Sequence, residues 1–392
     1  MLHAARLWWT LLLAVVLIQL GNGIQSTVVG LRSDSAGLST WSIAAVMSGM
    51  YAGNMVASVM APRLIARFGH VPFYMVLVFV LAAAPVAFLA PPDVIVWAST
   101  RFVFGFALAG IFVVVESWLN DCSTNDTRGM VFAVYIFVQL GGLLVAQFLV
   151  PVLAGDIIYA LMAVMAFCLL AGVPVWFGNA PRPHRRPYAA ASFRALVAAS
   201  PVGVVGAAVS GIIWAIVMSM SPIYAQRTGE DASGIAVFVA SAVLGGILLQ
   251  LPVGWWSDRM DRRIVLAIMG FGSALAALVG ATVGGDVAGV MAMFAYGALT
   301  FPLYTVAVSH VNDRVEPEQR VAASGAMILL FGAGSILGPV VTSVAMDAAG
   351  PVGFFLVLAI VSLAFGGFTL GRILATPRST LQQPAQTDPA PE

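Results

Sequence analysis

Apolar positions along this chain come in stretches of twenty or more, broken by short clusters of charged, proline or glycine residues. Neither the alternation of a half-buried strand nor the narrow stripe of a surface helix organises them. About 20 apolar residues in a helix cross the roughly 30 Å hydrocarbon core of a bilayer, and a helix satisfies its own backbone there. The breaks predict twelve helices, over residues 5–30, 37–66, 70–90, 94–119, 128–154, 157–178, 199–226, 233–256, 263–283, 287–311, 319–346 and 351–374.

Composition agrees. The 392 residues are 60% hydrophobic and 9% charged, too little polar surface for a water-soluble fold of this length. The fold class is therefore an all-α polytopic membrane protein embedded in a lipid bilayer. Cys122 and Cys168 are too few for a disulfide framework and lie in no metal-ligand pattern. The first stretch, Ala4 to Val29, is too long for a signal-peptide core and reads as a retained helix.

The longest polar connection, "NAPRPHRRPYAAASFR" at residues 179–194, falls at the midpoint. It divides an N-terminal six-helix half, 1–178, from a C-terminal half, 195–375. The Pro/Gln-rich tail, 376–392, reads as disordered.

Charge sets orientation. All 18 basic residues are arginine, and with the N-terminus inside, fifteen fall in cytoplasmic segments. Only Arg32 and Arg227 fall outside, and Arg101 lies within a span. The positive-inside rule then places both termini in the cytoplasm. The outer turns are acidic, with Asp34, Asp93, Asp156, Glu230 and Asp231 among them.

One cytoplasmic turn stands out. In "GWWSDRMDRR", five of the seven residues Ser257–Arg263 carry charge. A shift of 192 residues lays "PRLIARFGH", 62–70, onto it, with Arg67 on Arg259. The same shift lays Ser117, Asn120, Asp121 and Arg128 on Ser309, Asn312, Asp313 and Arg320. Matched polar residues at one offset imply two halves duplicated in parallel topology about an axis along the membrane normal.

"GWWSDRMDRR" resembles the G-x-x-x-D-R-x-G-R-R loop of the major facilitator superfamily, with Asp261 where that pattern has glycine. "RFVFGFALAG", 101–110, is similar to its helix 4 signature of an arginine and spaced glycines, and "ESWLND" with "GALTFPLYTVAVSHVND" resembles a YcaD-like subgroup. The resemblance implies twelve helices in two pseudo-symmetric halves that rock about a central cavity. It also implies a cytoplasmic latch of Arg67, Glu116, Asp121, Arg128, Asp258, Arg259, Arg262, Asp313 and Arg320. Anchoring in the interface needs only arginine, so the acids argue for pairing. Alone, each exposed pair is worth ~0–1 kcal/mol.

Ionisable groups inside spans are costly and mark function by default. Arg101 and Glu116 share helix 4, about 60° apart around it and about 22 Å apart along it. Gly105, Leu108 and Phe112 fill the stripe between them, so both can line one cavity. Arg101 can hold an anionic or polar solute or pack helix 4 against helix 1. Glu116 can gate beside Arg128 or carry a proton. Gln19, Asn22, Gln25, Tyr51, Asn54, Tyr135 and Gln139 in the first half, with Trp214, Gln250, Tyr296 and Tyr304 in the second, are further polar positions. The family's cavity helices 1, 4, 7 and 10 favour Asn22, Gln25, Arg101, Trp214, Tyr296 and Tyr304 for substrate, with Tyr135 and Gln139 beside them. Taken singly, each is also explained by an interhelical hydrogen bond. His310 reads as interfacial. Gly49 and Gly53, Gly334 and Gly338, Gly141 and Gly142, and Gly245 and Gly246 are expected where helix 2 meets 11 and helix 5 meets 8.

The expected function is secondary transport of a small organic solute by alternating access. Proton coupling is expected if Glu116 titrates, and export is ranked ahead of uptake of a sugar-like metabolite. No Walker motif is present to bind ATP, and no cofactor, metal or nucleic-acid signature is present. An intramembrane enzyme would need convergent nucleophiles, paired acids or metal ligands. A channel or solute sensor on the same fold is the other alternative. Nothing in the chain requires more than a monomer in a bacterial inner membrane.

Overall fold

The computed structural model describes residues 2–121, 123, 125–153, 155–177, 193–283, 287–316 and 319–375. The linker 179–192, the tail 376–392 and the side chains of Asp121, Arg128 and Arg320 lie outside the described residues. Twelve helices are long and apolar enough to cross a membrane: Trp8–Ser35, Thr40–Phe68, His70–Leu89, Val94–Asn120, Met130–Leu153, Ile157–Phe177, Pro201–Arg227, Ala232–Ser257, Arg262–Val283, Val287–Asn312, Ala323–Ala349 and Gly353–Ala375. They are spans 1 to 12 below.

Short polar residues set the breaks. Asp93, Asp156 and Asp231 accept from the backbone N–H of Val96, Ile158 and Gly234 at 2.8, 2.8 and 2.7 Å, and Ser39 accepts from Ser42 at 3.2 Å. Three acids that read as outer-turn charges are thus helix N-caps, which supply partners to orphan amides. Gly69, at φ 86°, ends span 2 in a conformation that costs a side chain dearly.

Four elements depart from expectation. The first helix runs to Ser35, five residues past its predicted end at 30, because Arg32 and Asp34 find partners and need not stop it. Span 3 tightens into a 3-10 turn over Ala84–Leu89 around Pro85, where proline removes a donor. Span 10 breaks into Val287–Thr300 and Leu303–Asn312 at Pro302 for the same reason. A short helix, Phe193–Ala199, precedes span 7 where the linker was expected to run out.

The duplication is visible in the span ends. Adding 192 to the first five spans gives 200–227, 232–260, 262–281, 286–312 and 322–345, against 201–227, 232–257, 262–283, 287–312 and 323–349. Neighbours repeat as well. Span 1 packs on 5 and 6, span 2 on 4, and span 3 on 4 and 6; in the second half 7 packs on 11 and 12, 8 on 10, and 9 on 10 and 12. Across the halves, span 1 meets 7, 2 meets 11, and 5 meets 8.

The glycines correct one expectation. A Cβ on Gly53 would lie 2.0 Å from the Phe102 carbonyl oxygen, and one on Gly105 2.0 Å from that of Met50. In the second half, Gly245 meets the Phe294 carbonyl at 2.2 Å and Gly297 that of Ala242 at 2.1 Å, each contact displaced by the same 192. Gly49 lies on Ala98, Gly334 on Ala208, Gly338 on Ile212 and Gly142 on span 1. These glycines therefore lock span 2 to 4, 8 to 10, 1 to 5 and 7 to 11 inside each half, not between halves. Gly246 packs on Phe301, and Gly141 faces open space. Small residues permit backbone approach wherever two helices cross most closely, and those crossings lie within the halves.

Candidate functional site

One face of the bundle carries most of the arginines. On the opposite face, where spans 1 and 7 end, the halves are bonded to each other. Arg227 donates to Asp34 Oδ1 from Nε at 3.0 Å and Nη2 at 2.7 Å, and reaches Thr40 Oγ1 at 3.4 Å. Gln226 donates to Ser35 Oγ at 3.0 Å. By the 192 shift, Asp34 is the counterpart of Gln226 and Ser35 of Arg227. The contacts therefore cross reciprocally, as at a two-fold interface, and the pseudo-two-fold axis passes between them. Deeper in, Tyr51 and Ser219 share a hydrogen bond at 2.9 Å, and Ser48 donates to the Ile336 carbonyl at 2.9 Å. This side is closed by bonds between halves.

Arg101 lies beneath this closure, fully buried. Its guanidinium donates to Gln25 Oε1 in a short hydrogen bond and to Met47 Sδ at 3.3 Å. Among the described residues, its Nε and Gln25 Nε2 have no hydrogen-bond partner. A buried cation without a carboxylate is held here by one amide and one thioether. Gly105 is taken up by span 2 and Leu108 is buried. The stripe between Arg101 and Glu116 is thus packed, and the two sit in different settings.

Glu116 is half-buried on the arginine-rich side of span 4. Tyr135 donates to its Oε1 at 2.9 Å, and Tyr304 lies within electrostatic reach across the halves. Asn22, Gln139, Trp214, Phe301, Tyr304 and Phe331 are half-buried too. Trp214 lies 5.1 Å from Phe301 and 6.5 Å from Phe331, and Tyr304 lies 5.1 Å from Phe331, centroid to centroid. Each of these side chains keeps part of its surface exposed. Tyr296 is instead fully buried and shares a hydrogen bond with Ser362 on span 12 at 3.1 Å.

On the arginine-rich face, three ion pairs form inside the second half. Arg262 bridges Asp258 at 3.0 Å and Asp313 at 2.6 Å, and donates to Ser257 at 2.7 Å. Asp261 caps Arg263 N at 3.0 Å and holds the Arg263 guanidinium at 2.7 Å. Arg259 turns back onto the Trp255 ring, 3.9 Å from its centroid. Arg314 contacts the buried His310 at Nδ1, 2.9 Å away. Burial first, and then Arg263 nearby, push Arg314 below the ordinary arginine pKa. Arg67 lies over Phe68. Among the described residues, no three His, Cys, Asp or Glu side chains gather as a metal site.

The family model described as Major Facilitator Superfamily matches residues 11–247 and again 203–391. The chain belongs to the major facilitator superfamily. It is 31% identical over 357 residues to the uncharacterized MFS-type transporter YcaD of Salmonella arizonae, covering 91% of this chain and 93% of that one. Its fold is similar to that of a variant of the nucleoside transporter NupG, with a TM-score of 0.79 at 14% identity over 93% of this chain and 99% of that one. It is also similar to a bacterial homologue of the lysosomal transporter Spinster in an inward-facing, unoccupied conformation, at 0.73 and 16% over 95% and 99%. The chain is a twelve-span transporter of this superfamily.

Within the superfamily fold, the structure brings Glu116, Tyr135 and Gln139 side by side and gathers Trp214, Phe301, Tyr304 and Phe331 in one ring cluster. It places Gln25 and Arg101 in a sealed layer above. Asn22 donates to Gln19 on its own helix at 2.9 Å. Asn54, with its amide turned to donate, holds the Gly105 carbonyl at 2.6 Å, and Gln250 donates to Thr305 at 3.1 Å. Sequence reasoning missed Asp34, Arg227, Ser35 and Gln226 as a unit. The signal was present: Arg227 is one of only two arginines on the wrong side for the charge rule, and it falls one residue from the counterpart of Asp34.

Proposed function

We propose that this chain carries a small organic solute across a bacterial inner membrane by alternating access. The arginine-rich face and both termini lie in the cytoplasm. The crossed closure of Asp34, Ser35, Gln226 and Arg227 around the pseudo-two-fold axis carries this reading. It bonds half to half on the outer side, and on the other face Arg262 pairs with Asp258 and Asp313 of its own half. This is the pattern of a carrier resting with its outer gate shut.

The moving units are residues 1–178 and 195–375, joined by the linker 179–194. Both halves of the gate belong to one chain, so a monomer completes the cycle. The opening between Glu116 and the aromatic side chains of spans 7, 10 and 11 receives the solute. Arg262, Asp258 and Asp313 hold the ends of spans 8, 9 and 10 together as the halves rock, and export driven by a proton gradient is the direction we favour. Counterflow in proteoliposomes tests the carrier cycle, using a compound that stabilises the purified protein in a thermal-shift screen, since a binder stabilises the folded state. Accelerated exchange of labelled compound supports the cycle, and its absence with retained binding contradicts it. Proton drive unchanged by Glu116→Gln would remove Glu116 as the proton carrier.

A further inference from the structure

The two walls of the central opening are chemically unlike, although the halves are duplicates. The first half presents Asn22, Glu116 and Gln139. Their counterparts at the 192 shift are Trp214, Val308 and Phe331. Each polar residue of one wall thus answers to an apolar or aromatic residue of the other. Trp214, Phe331, Tyr304 and Phe301 form a connected ring cluster, with neighbouring centroids 5.1 to 6.5 Å apart. The Glu116 carboxylate accepts from the Tyr135 hydroxyl at 2.9 Å, and among the described residues no arginine or histidine lies within ion-pair distance of it.

We propose that the carried solute is an amphiphilic organic cation, held by Glu116 against the aromatic wall of Trp214, Tyr304 and Phe331. This rests on the transport reading above and names the substrate class for the same opening. A carboxylate with one neutral donor keeps its charge open to a cation. The ring faces opposite attract positive charge through their quadrupoles and bury apolar substituents. An anion would meet the carboxylate with no cation alongside among the described residues, since Arg101 is sealed in another layer behind Gln25 and Met47. A neutral sugar would leave the Glu116 charge without a counter-charge in a partly buried setting.

The test is equilibrium binding to the purified full-length protein in detergent. Two aromatic cations, benzyltrimethylammonium and tetraphenylphosphonium, are compared with neutral triphenylphosphine oxide and anionic tetraphenylborate. The expected result is that at least one cation binds at least tenfold more tightly than the neutral and anionic probes. Glu116→Gln should weaken the cation at least tenfold and leave the neutral probe unchanged. Glu116→Asp, which keeps the charge, should retain the preference. Trp214→Ala should weaken cationic and neutral aromatic probes together. No cation binding, or cation binding untouched in a folded Glu116→Gln protein, overturns the proposal. Because binding is read without transport, bound cation with no counterflow counts against the carrier cycle and leaves the substrate class standing.

Discussion

In the proposed cycle, the Asp34–Arg227 pair sets a conformational balance. Their side chains are 16% and 26% exposed, screened from water more than a surface pair is. Charge-assisted hydrogen bonds in such a setting contribute about 1.5–3 kcal/mol. Asp34→Asn should shift the balance between states about tenfold or more toward the outward-open form. Alkylation of a cysteine at Tyr51, behind the gate, should speed up accordingly in a background lacking Cys122 and Cys168. Exchanging the charges, Asp34→Arg with Arg227→Asp, should restore slow labelling; failure of the exchange would mean that the pair is incidental. Arg101 makes the complementary case. Gln25→Leu strips a fully buried guanidinium of its amide partner, at a cost of about 3 kcal/mol, and should lower the melting temperature in detergent markedly. Arg101→Met in the same background should recover much of that loss. At this scale sequence reading found the right residue types, but it could not tell a buried partner from a lining residue. Gln25 and Trp214 look alike as polar or aromatic interruptions of apolar runs, and only packing separates them.

At the scale of the element, helix crossings follow glycines and their breaks follow prolines. A leucine at Gly53 would drive a side chain into the Phe102 carbonyl, whose backbone cannot give way. Gly53→Leu and its counterpart Gly245→Leu should therefore abolish monodisperse protein on size exclusion. Gly141→Ala should be neutral or stabilising, by about 0.5–1 kcal/mol, because among the described residues a Cβ there meets nothing beyond its own helix within 4 Å. Equal tolerance at the three sites would refute the assignment of these glycines to span pairs inside each half. All twelve span starts were legible to within four residues, because apolar length is a strong signal. The end of span 1 was not. Arg32 lies 5.8 Å from the Trp97 ring centroid and Asp34 meets Arg227, so charges that looked like a stop belong to the helix. The partner of Asp261 also became clear only in three dimensions: the acid caps the helix that follows and holds Arg263 two residues on.

The whole molecule is a duplicated scaffold with unduplicated chemistry. The offset of 192 that sequence matching revealed in a few polar residues reproduces span ends, neighbour pairs and individual glycine contacts. It does not reproduce Arg101, whose counterpart is Met293, or Glu116, whose counterpart is Val308. On the proposed cycle, the symmetric frame rocks about its axis and the asymmetric interior determines what is carried. The most direct measurement of this account is a pair of spin-label distances at counterpart positions, Ala36 with Thr228 on the closed face and Phe68 with Met260 on the arginine-rich face. All four residues are exposed. In lipid nanodiscs, Asp34→Asn should lengthen the Ala36–Thr228 distance and shorten the Phe68–Met260 distance in the same sample, as two halves turning about one axis require. Two distances that stay fixed, or that lengthen together, would contradict a rocking carrier whose outer gate is the Asp34–Arg227 closure.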